Sequence, residues 1–182
     1  SDFLSVKNAL TTGLIGRITH FESHIDRFRP MVRKRWRESD QPGAGLWFDL
    51  GPHLVDQALC LFGLPIAVHG DLMRQRNGAV SDDWAHVVLE YDHHRVILHC
   101  SMLVAGGVPR FVMHGAKGSI LKRKPDGQEA QLLAGMAPGH DGWGYDPDPL
   151  LMYDEHGSAQ EIPALMGAQR RYYSPIADAL TG

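Results

Sequence analysis

Between residues 66 and 123, four apolar, β-rich stretches follow one another: IAVHGDLMRQR, WAHVVLEY, RVILHCSMLV and RFVMHGAKGSILKR. Only turn signals such as NG, YDHH and AGGVP separate them. A doubly wound parallel sheet needs a helix between successive strands, so this succession calls for a mainly antiparallel sheet. One helical stretch precedes it, GAGLWFDLGPHLVDQALCLFG at 43–63, with its helix expected from Asp49 and closed by Gly63 and Pro65. The predicted fold class is α+β: an open, mainly antiparallel sheet with helices on one face.

The flanking segments fit that plan. VKNALTTGLIG reads as the end of a helix or a turn, and RITHFESHIDRF alternates like a strand. RPMVRKRWRESDQPGAG is a basic loop longer than a plain connector needs. DGQEAQLLAGMAPGHDGWGYDPDPLL reads as an irregular excursion, and LLMYDEHGSAQEIP as a final hairpin. In YYSPIADALTG, Ser174 and Pro175 have the character of an N-cap and a first helical residue. With no initiator Met and a helix barely begun at its end, the chain is expected to be a piece of a longer protein, cut at both ends.

In WAHVVLEY, Ala85, Val87, Leu89 and Tyr91 point to one side of the strand and Trp84, His86, Val88 and Glu90 to the other. The helix can cover one face. The other carries enough aromatic and aliphatic surface to predict contact with a second subunit.

A chain of 182 residues suffices for one domain with a sizeable core. A formal net charge of -3 gives no basic footprint for nucleic acid and no polybasic membrane patch. No apolar run is long enough to span a bilayer, and SDFLSVKNAL has no signal-peptide core, so the expected location is cytoplasmic. Cys60 and Cys100 lie in apolar runs, form no CxxC pair and read as buried thiols in a reducing compartment.

At about 100° per residue, a helix from Asp49 sets Asp49, His53 and Asp56 within roughly 60° of one another, away from its apolar side. Two readings remain open on spacing alone. Asp49 is a carboxylate at a helix N-terminus, with Pro52 in the first turn and His53 a surface residue. Alternatively, Asp49 orients and charges an imidazole one turn away, making His53 a general acid or base near neutral pH. The basic VRKRWRE is either a solvated face or a rim that feeds a polar substrate towards His53, with Trp36 offering a flat surface.

Other chemistries lack support. GAGLWF begins like a dinucleotide fingerprint, but no strand precedes it and Phe48 stands where a small residue is needed. Four residues of strand separate His20 from His24 by about 13 Å, too far to share one zinc ion. Asp49 and His53 have no third ligand at a convincing spacing, so no metal is expected.

Taken whole, GAGLWFDLGPHLVDQALCLFG resembles the signature of the glucose-fructose oxidoreductase, inositol dehydrogenase and rhizopine catabolism (Gfo/Idh/MocA) family: a Gly-rich turn, an aspartate, a histidine four residues later and another aspartate three further on. GLIGRITHFESH resembles the family's first sheet strand, FVMHGAKGSILK its late GxxGxL hairpin, and YYSPIADALTG the segment before its last helix. The resemblance implies a two-domain dehydrogenase using NAD or NADP, bound mainly by an N-terminal domain. Residues 1–182 would then be the C-terminal α+β domain for substrate binding and oligomerisation, truncated at both ends, with no dinucleotide-binding domain in this chain. It assigns Asp49 and His53 as catalytic, with Pro52 replacing the more usual aliphatic residue between them. Trp36 and Arg37 follow as substrate contacts. The family's lysine on the cofactor domain has no counterpart here, and no cofactor-binding residue in this chain is assigned. The implied substrate is a sugar, inositol or related polyol oxidised at CH–OH, and the implied partner a further copy of the chain. The alternative is a non-catalytic dimerisation or ligand-binding module of the same fold.

Overall fold

A computed structural model describes residues 1–168 and 173–181. The elements are α1 (Asp2–Thr11), β1 (Ile18–Asp26), a 3-10 turn (Trp36–Glu38), α2 (Leu46–Phe62), β2 (Ala67–Met73), β3 (Trp84–Glu90), β4 (Arg95–Ser101), β5 (Phe111–Gly115), β6 (Gly118–Lys122), α3 (Gln128–Leu133), β7 (Leu150–Asp154), β8 (Ala159–Ile162) and α4 (Tyr173–Thr181). Among the described residues the strands form one eight-stranded sheet in the order β2-β3-β4-β1-β5-β6-β7-β8. Two meanders, β2-β3-β4 and β5-β6-β7-β8, follow chain order and are antiparallel throughout. β1 lies between them, parallel to β4 with Phe21 beside Val96 and antiparallel to β5 with Phe21 beside Met113. The expected α+β class and the mainly antiparallel sheet are therefore observed.

The alternation read in β3 is realised: Ala85, Val87, Leu89 and Tyr91 are buried, while Trp84, His86, Val88 and Glu90 are half-exposed. The buried set shares a core with Leu50, Leu54 and Ala58 of α2, which packs across β1, β3 and β4. Leu54 is wholly buried, a contribution of about 1.5–3 kcal/mol for a side chain of this size. Val6 and Ala9 of α1 belong to the same core.

Three boundaries differ from expectation. α2 begins at Leu46, so Asp49 lies beyond the cap and Pro52 falls in the second turn instead of the first. α4 begins at Tyr173, so Ser174 is inside the helix and not its N-cap; Tyr172 and Gly182 of that motif lie outside the described residues. The excursion after β6 contains α3, a six-residue helix that buries none of its own residues. Lys122 anchors the excursion: its wholly buried Nζ meets Asp148 Oδ2 at 2.8 Å and Asp146 Oδ2 at 3.2 Å.

The far end of α2 is fixed by the β3–β4 turn. Tyr91 donates its hydroxyl proton to the Gly63 carbonyl at 2.9 Å, and its ring stacks on His94 at 4.5 Å. His94 also packs on Phe62, and its buried Nε2 has no hydrogen-bond partner. Burial lowers the His94 pKa below its ordinary 6.5, with the charges of Arg95 and His93 acting in the same direction. A histidine lowered on folding contributes stability above its unfolded value, and that contribution is lost as pH falls through the folded one. The thermal midpoint should therefore fall on acidification below about pH 6.5, and His94→Phe, which keeps the ring packing, should flatten part of that fall. An unchanged slope in the variant would remove His94 from the account.

Candidate active site

The Gly-rich turn before α2 has a geometric purpose. Gly45 takes φ 110° as the N-cap residue, and a Cβ there would collide with the Asp82 carboxylate. Asp82, from the β2–β3 connection, accepts the Trp47 N–H at 2.7 Å, and its own carbonyl accepts the Leu46 N–H at 2.9 Å. The helix start is thus satisfied by Asp82, which corrects the reading of Asp49 as the capping carboxylate. Gly51 also makes room: a Cβ there would meet the Trp47 indole within 2.9 Å.

Freed from capping, the Asp49 carboxylate forms an ion pair with Arg37, its Oδ1 2.8 Å from Nε, and Arg37 in turn lies over the exposed Trp36 ring, 4.8 Å from its centre. The turn itself delivers Arg37, since Gly45 N–H donates to the Arg37 carbonyl at 2.9 Å. Trp36, Arg37 and Asp49 therefore come together. His53 is exposed one turn further along α2, and no hydrogen bond joins it to Asp49 among the described residues. Asp56 is exposed as well.

The basic loop is pinned from beneath. The buried Arg76 donates Nε to Asp83 at 2.9 Å, pairs with Glu38 at 2.9 Å and gives its remaining guanidinium nitrogen to the carbonyls of Arg29 and Met31. Burial alone would raise the Glu38 pKa; the Arg33 N–H, Arg35 and Arg76 hold it below the usual carboxylate value instead. A long loop is in this way given one conformation beside Asp49.

His53 opens onto a cleft of about 610 Å³, shared with Leu50 and Gln57 of α2, the end of β1, Gly106–Val108 and residues 123–126. Its inner wall is Arg110, which sequence reading missed because a lone arginine before a strand carries no signal. Arg110 donates to Ser23 Oγ at 2.6 Å, the His24 carbonyl at 3.1 Å and Gln57 Oε1 at 2.8 Å, and packs on the Phe111 ring. Burial lowers its pKa, which Asp2, Asp126 and Asp26 counteract.

The sheet face away from α2 is more polar than the β3 pattern alone implied. His20 and His24 share Glu22, one on each oxygen at 2.7 Å, where sequence spacing had only set them apart. His24 continues to Asp26 at 3.4 Å, Asp26 lies 3.7 Å from His99, and His99 meets His86 at 3.4 Å. Burial opposes a charged His24, but hydrogen bonds and attraction from Asp26 and Glu22 raise its pKa above the ordinary value. His99, depressed by burial and by His24 and His86, goes the other way. Among the described residues, no group of three or more histidines, cysteines and acids is arranged to hold a metal ion, and no helix is long and apolar enough to cross a membrane.

A mainly antiparallel open sheet under one long helix, with Asp49 and His53 on successive turns of that helix and His53 beside a cleft, is the arrangement that related proteins have to match. The profile of the GFO/IDH/MocA C-terminal domain matches residues 3–121, and the chain belongs to that family. It is 45% identical over 185 residues to the uncharacterized oxidoreductase YdgJ of Escherichia coli (strain K12), a match covering 100% of this chain and 54% of the relative. It is 36% identical to the scyllo-inositol 2-dehydrogenase (NADP(+)) IolW of Bacillus subtilis (strain 168), covering 99% of this chain and 52% of that protein. A crystal structure assigned as an oxidoreductase from Klebsiella pneumoniae superposes with a TM-score of 0.92 at 56% identity, over 100% of this chain and 51% of its own. The chain thus spans about half the length of the curated relatives it matches.

Proposed function

We propose that this chain is the substrate-binding and catalytic C-terminal half of an NAD(P)-dependent oxidoreductase that acts on the CH–OH group of a sugar, inositol or related polyol. The observation that carries the reading is the placement of Asp49 and His53 on successive turns of α2, with His53 lining the cleft, in a chain 36% identical to a protein named as an NADP-dependent inositol dehydrogenase. The described residues do not themselves fit a dinucleotide: in the Gly-rich turn before α2, Ala44 and Gly45 already donate their N–H groups to the Gln41 and Arg37 carbonyls, and the Leu46 and Trp47 N–H groups that open the helix go to Asp82. NAD or NADP, the hydride acceptor, is accordingly assigned to residues outside this chain.

What this chain supplies is proton handling. His53 accepts the hydroxyl proton as the alcohol carbon is oxidised, and the negative charge of Asp49, one turn away, favours the resulting imidazolium. Arg37 holds the Asp49 carboxylate in place from the loop side, and Trp36 presents its ring at the rim. Gln57 and Arg110 provide polar contacts deeper in the cleft. The test is a screen of sugars and inositols with the intact protein, following nicotinamide absorbance with NAD and with NADP. Turnover of one such polyol with either cofactor is expected; no turnover with a correctly folded protein across the panel overturns the assignment. One observation favours the second reading, a non-catalytic module of the same fold: the Asp49 carboxylate pairs with Arg37 and not with His53.

The exposed sheet face is proposed as a contact between copies of the chain. Trp84 stacks on His86 at 6.1 Å and sets its edge on His99 at 5.4 Å, giving a flat aromatic platform in a polar surround. Trp84→Glu should halve the assembly in sedimentation at micromolar concentration. A wild-type protein that is monomeric at that concentration would refute the contact.

A further inference from the structure

The sheet has two edges, β2 and β8. β8 is four residues long and carries a glutamate, the sort of short, charged edge that resists pairing with another chain. β2 is different. It is seven residues in unbroken register with β3, and AVHGDLM contains neither proline nor lysine. Register places Val68, Gly70 and Leu72 on the same face as Leu89, Val87 and Ala85, and His69 and Asp71 on the opposite one with Val88 and His86. Val68 is 60% exposed and Leu72 44%. Nothing in the described residues covers this strand.

We infer that β2 pairs with β2 of a second copy of this chain, the two strands antiparallel about a two-fold axis at Gly70. The sequence is complementary to itself only in that sense. Centred on Gly70, Val68 meets Leu72 of the other copy, Ala67 meets Met73, and His69 meets Asp71, with each pairing occurring twice by symmetry. His69 reaches only Glu90, at 3.5 Å, and Asp71 has no partner among the described residues. Gly70 is also unexplained within one copy: its φ is not in the left-handed region, and a Cβ would make ordinary contact with Val87 at 3.7 Å and Leu72 at 3.8 Å. At a two-fold axis the residue opposes itself at about 4.5–5.5 Å between Cα atoms, a separation that a disulfide spans, so this position reports the pairing directly.

This contact is separate from the Trp84 face and does not depend on the enzymatic reading. The test is sedimentation of the intact protein. Asp71→Lys sets lysine against His69 twice and should weaken one two-fold step roughly tenfold or more in Kd, leaving the fold unchanged because Asp71 is exposed. Adding His69→Asp sets a carboxylate against each new lysine and should restore the step. In a Cys60→Ser background, Gly70→Cys should give a covalent dimer on mild oxidation. Sedimentation indifferent to Asp71→Lys, or Gly70→Cys that stays monomeric when oxidised, overturns the inference. So does hydrogen exchange showing, in a monomer, protection of those amides of residues 67–73 that point away from β3, since another part of the same polypeptide would then cover the edge.

Discussion

Replacing His53 with alanine in the intact protein should lower the proposed oxidation rate by roughly a hundredfold to ten-thousandfold, the usual range for loss of a general base. The fold should survive, because His53 is exposed and α2 is held by Leu50, Leu54 and Ala58 beneath it. Asp49→Asn should also slow turnover while keeping the helix intact: the helix start rests on Asp82, so what is lost is charge beside the imidazole and the ionic partner of Arg37. The pH–rate profile separates this from a structural role. Any limb of the wild-type profile that the proposed base contributes should be absent from His53→Ala, and near wild-type turnover with an unchanged profile would leave the Asp49 and His53 stripe a solvated helix face.

The largest effect on stability is expected at Lys122. Its ammonium is wholly buried between Asp146 and Asp148 and also donates to the Lys124 carbonyl at 2.9 Å. Lys122→Ala leaves the buried Asp146 without a cation among the described residues and Asp148 with only the exposed Arg123 at 3.3 Å, and removing one partner of a buried ion pair costs about 3–5 kcal/mol. Burial would raise the Asp148 pKa, but the Lys122 hydrogen bond, the Lys124 N–H and the charges of Lys122 and Arg123 bring it below the ordinary 3.8. The stability that a depressed carboxylate contributes is present above its unfolded value and lost as pH falls through the folded one. The penalty of Lys122→Ala should therefore be full at neutral pH and shrink in acid as the carboxylates protonate. Urea unfolding at neutral pH and below pH 3.8 reads both; a loss under about 1 kcal/mol, the range of exposed pairs, would show that the anchor is not needed.

Much of this architecture is legible in the chain because period-two alternation in β3 and the apolar side of α2 are local signals. The start of α2 was not, since its cap is Asp82, 35 residues along the chain from the Trp47 N–H it accepts. The same distance effect hid the partner of Asp49: spacing ties it to His53, whereas the Gly45 turn folds Arg37 back against it. Arg110 and Gln57 meet in the cleft only because β1 lies between β4 and β5. α3 is too short, in QEAQLL between Gly127 and Gly135, for helical periodicity to register. The polar sheet face arises where His20, Glu22, His24 and Asp26 of β1 fall beside His99 of β4, a juxtaposition that no single strand displays.

The position of β1 also sets the order in which the chain can become a protein. Its neighbours, β4 and β5, begin and end at residues 95 and 115, long after β1 is complete at residue 26. At a synthesis rate of about 5–20 residues per second, β1 leaves the ribosome several seconds before either ladder exists for it. The meander β2-β3-β4 can zip locally in the meantime, but its β4 edge stays open until β1 docks. Among the described strands the central one is thus the earliest made and among the last secured, so a nascent chain stalled between β4 and β5 has a strand and an edge exposed together and is where chaperone capture or misassembly would act.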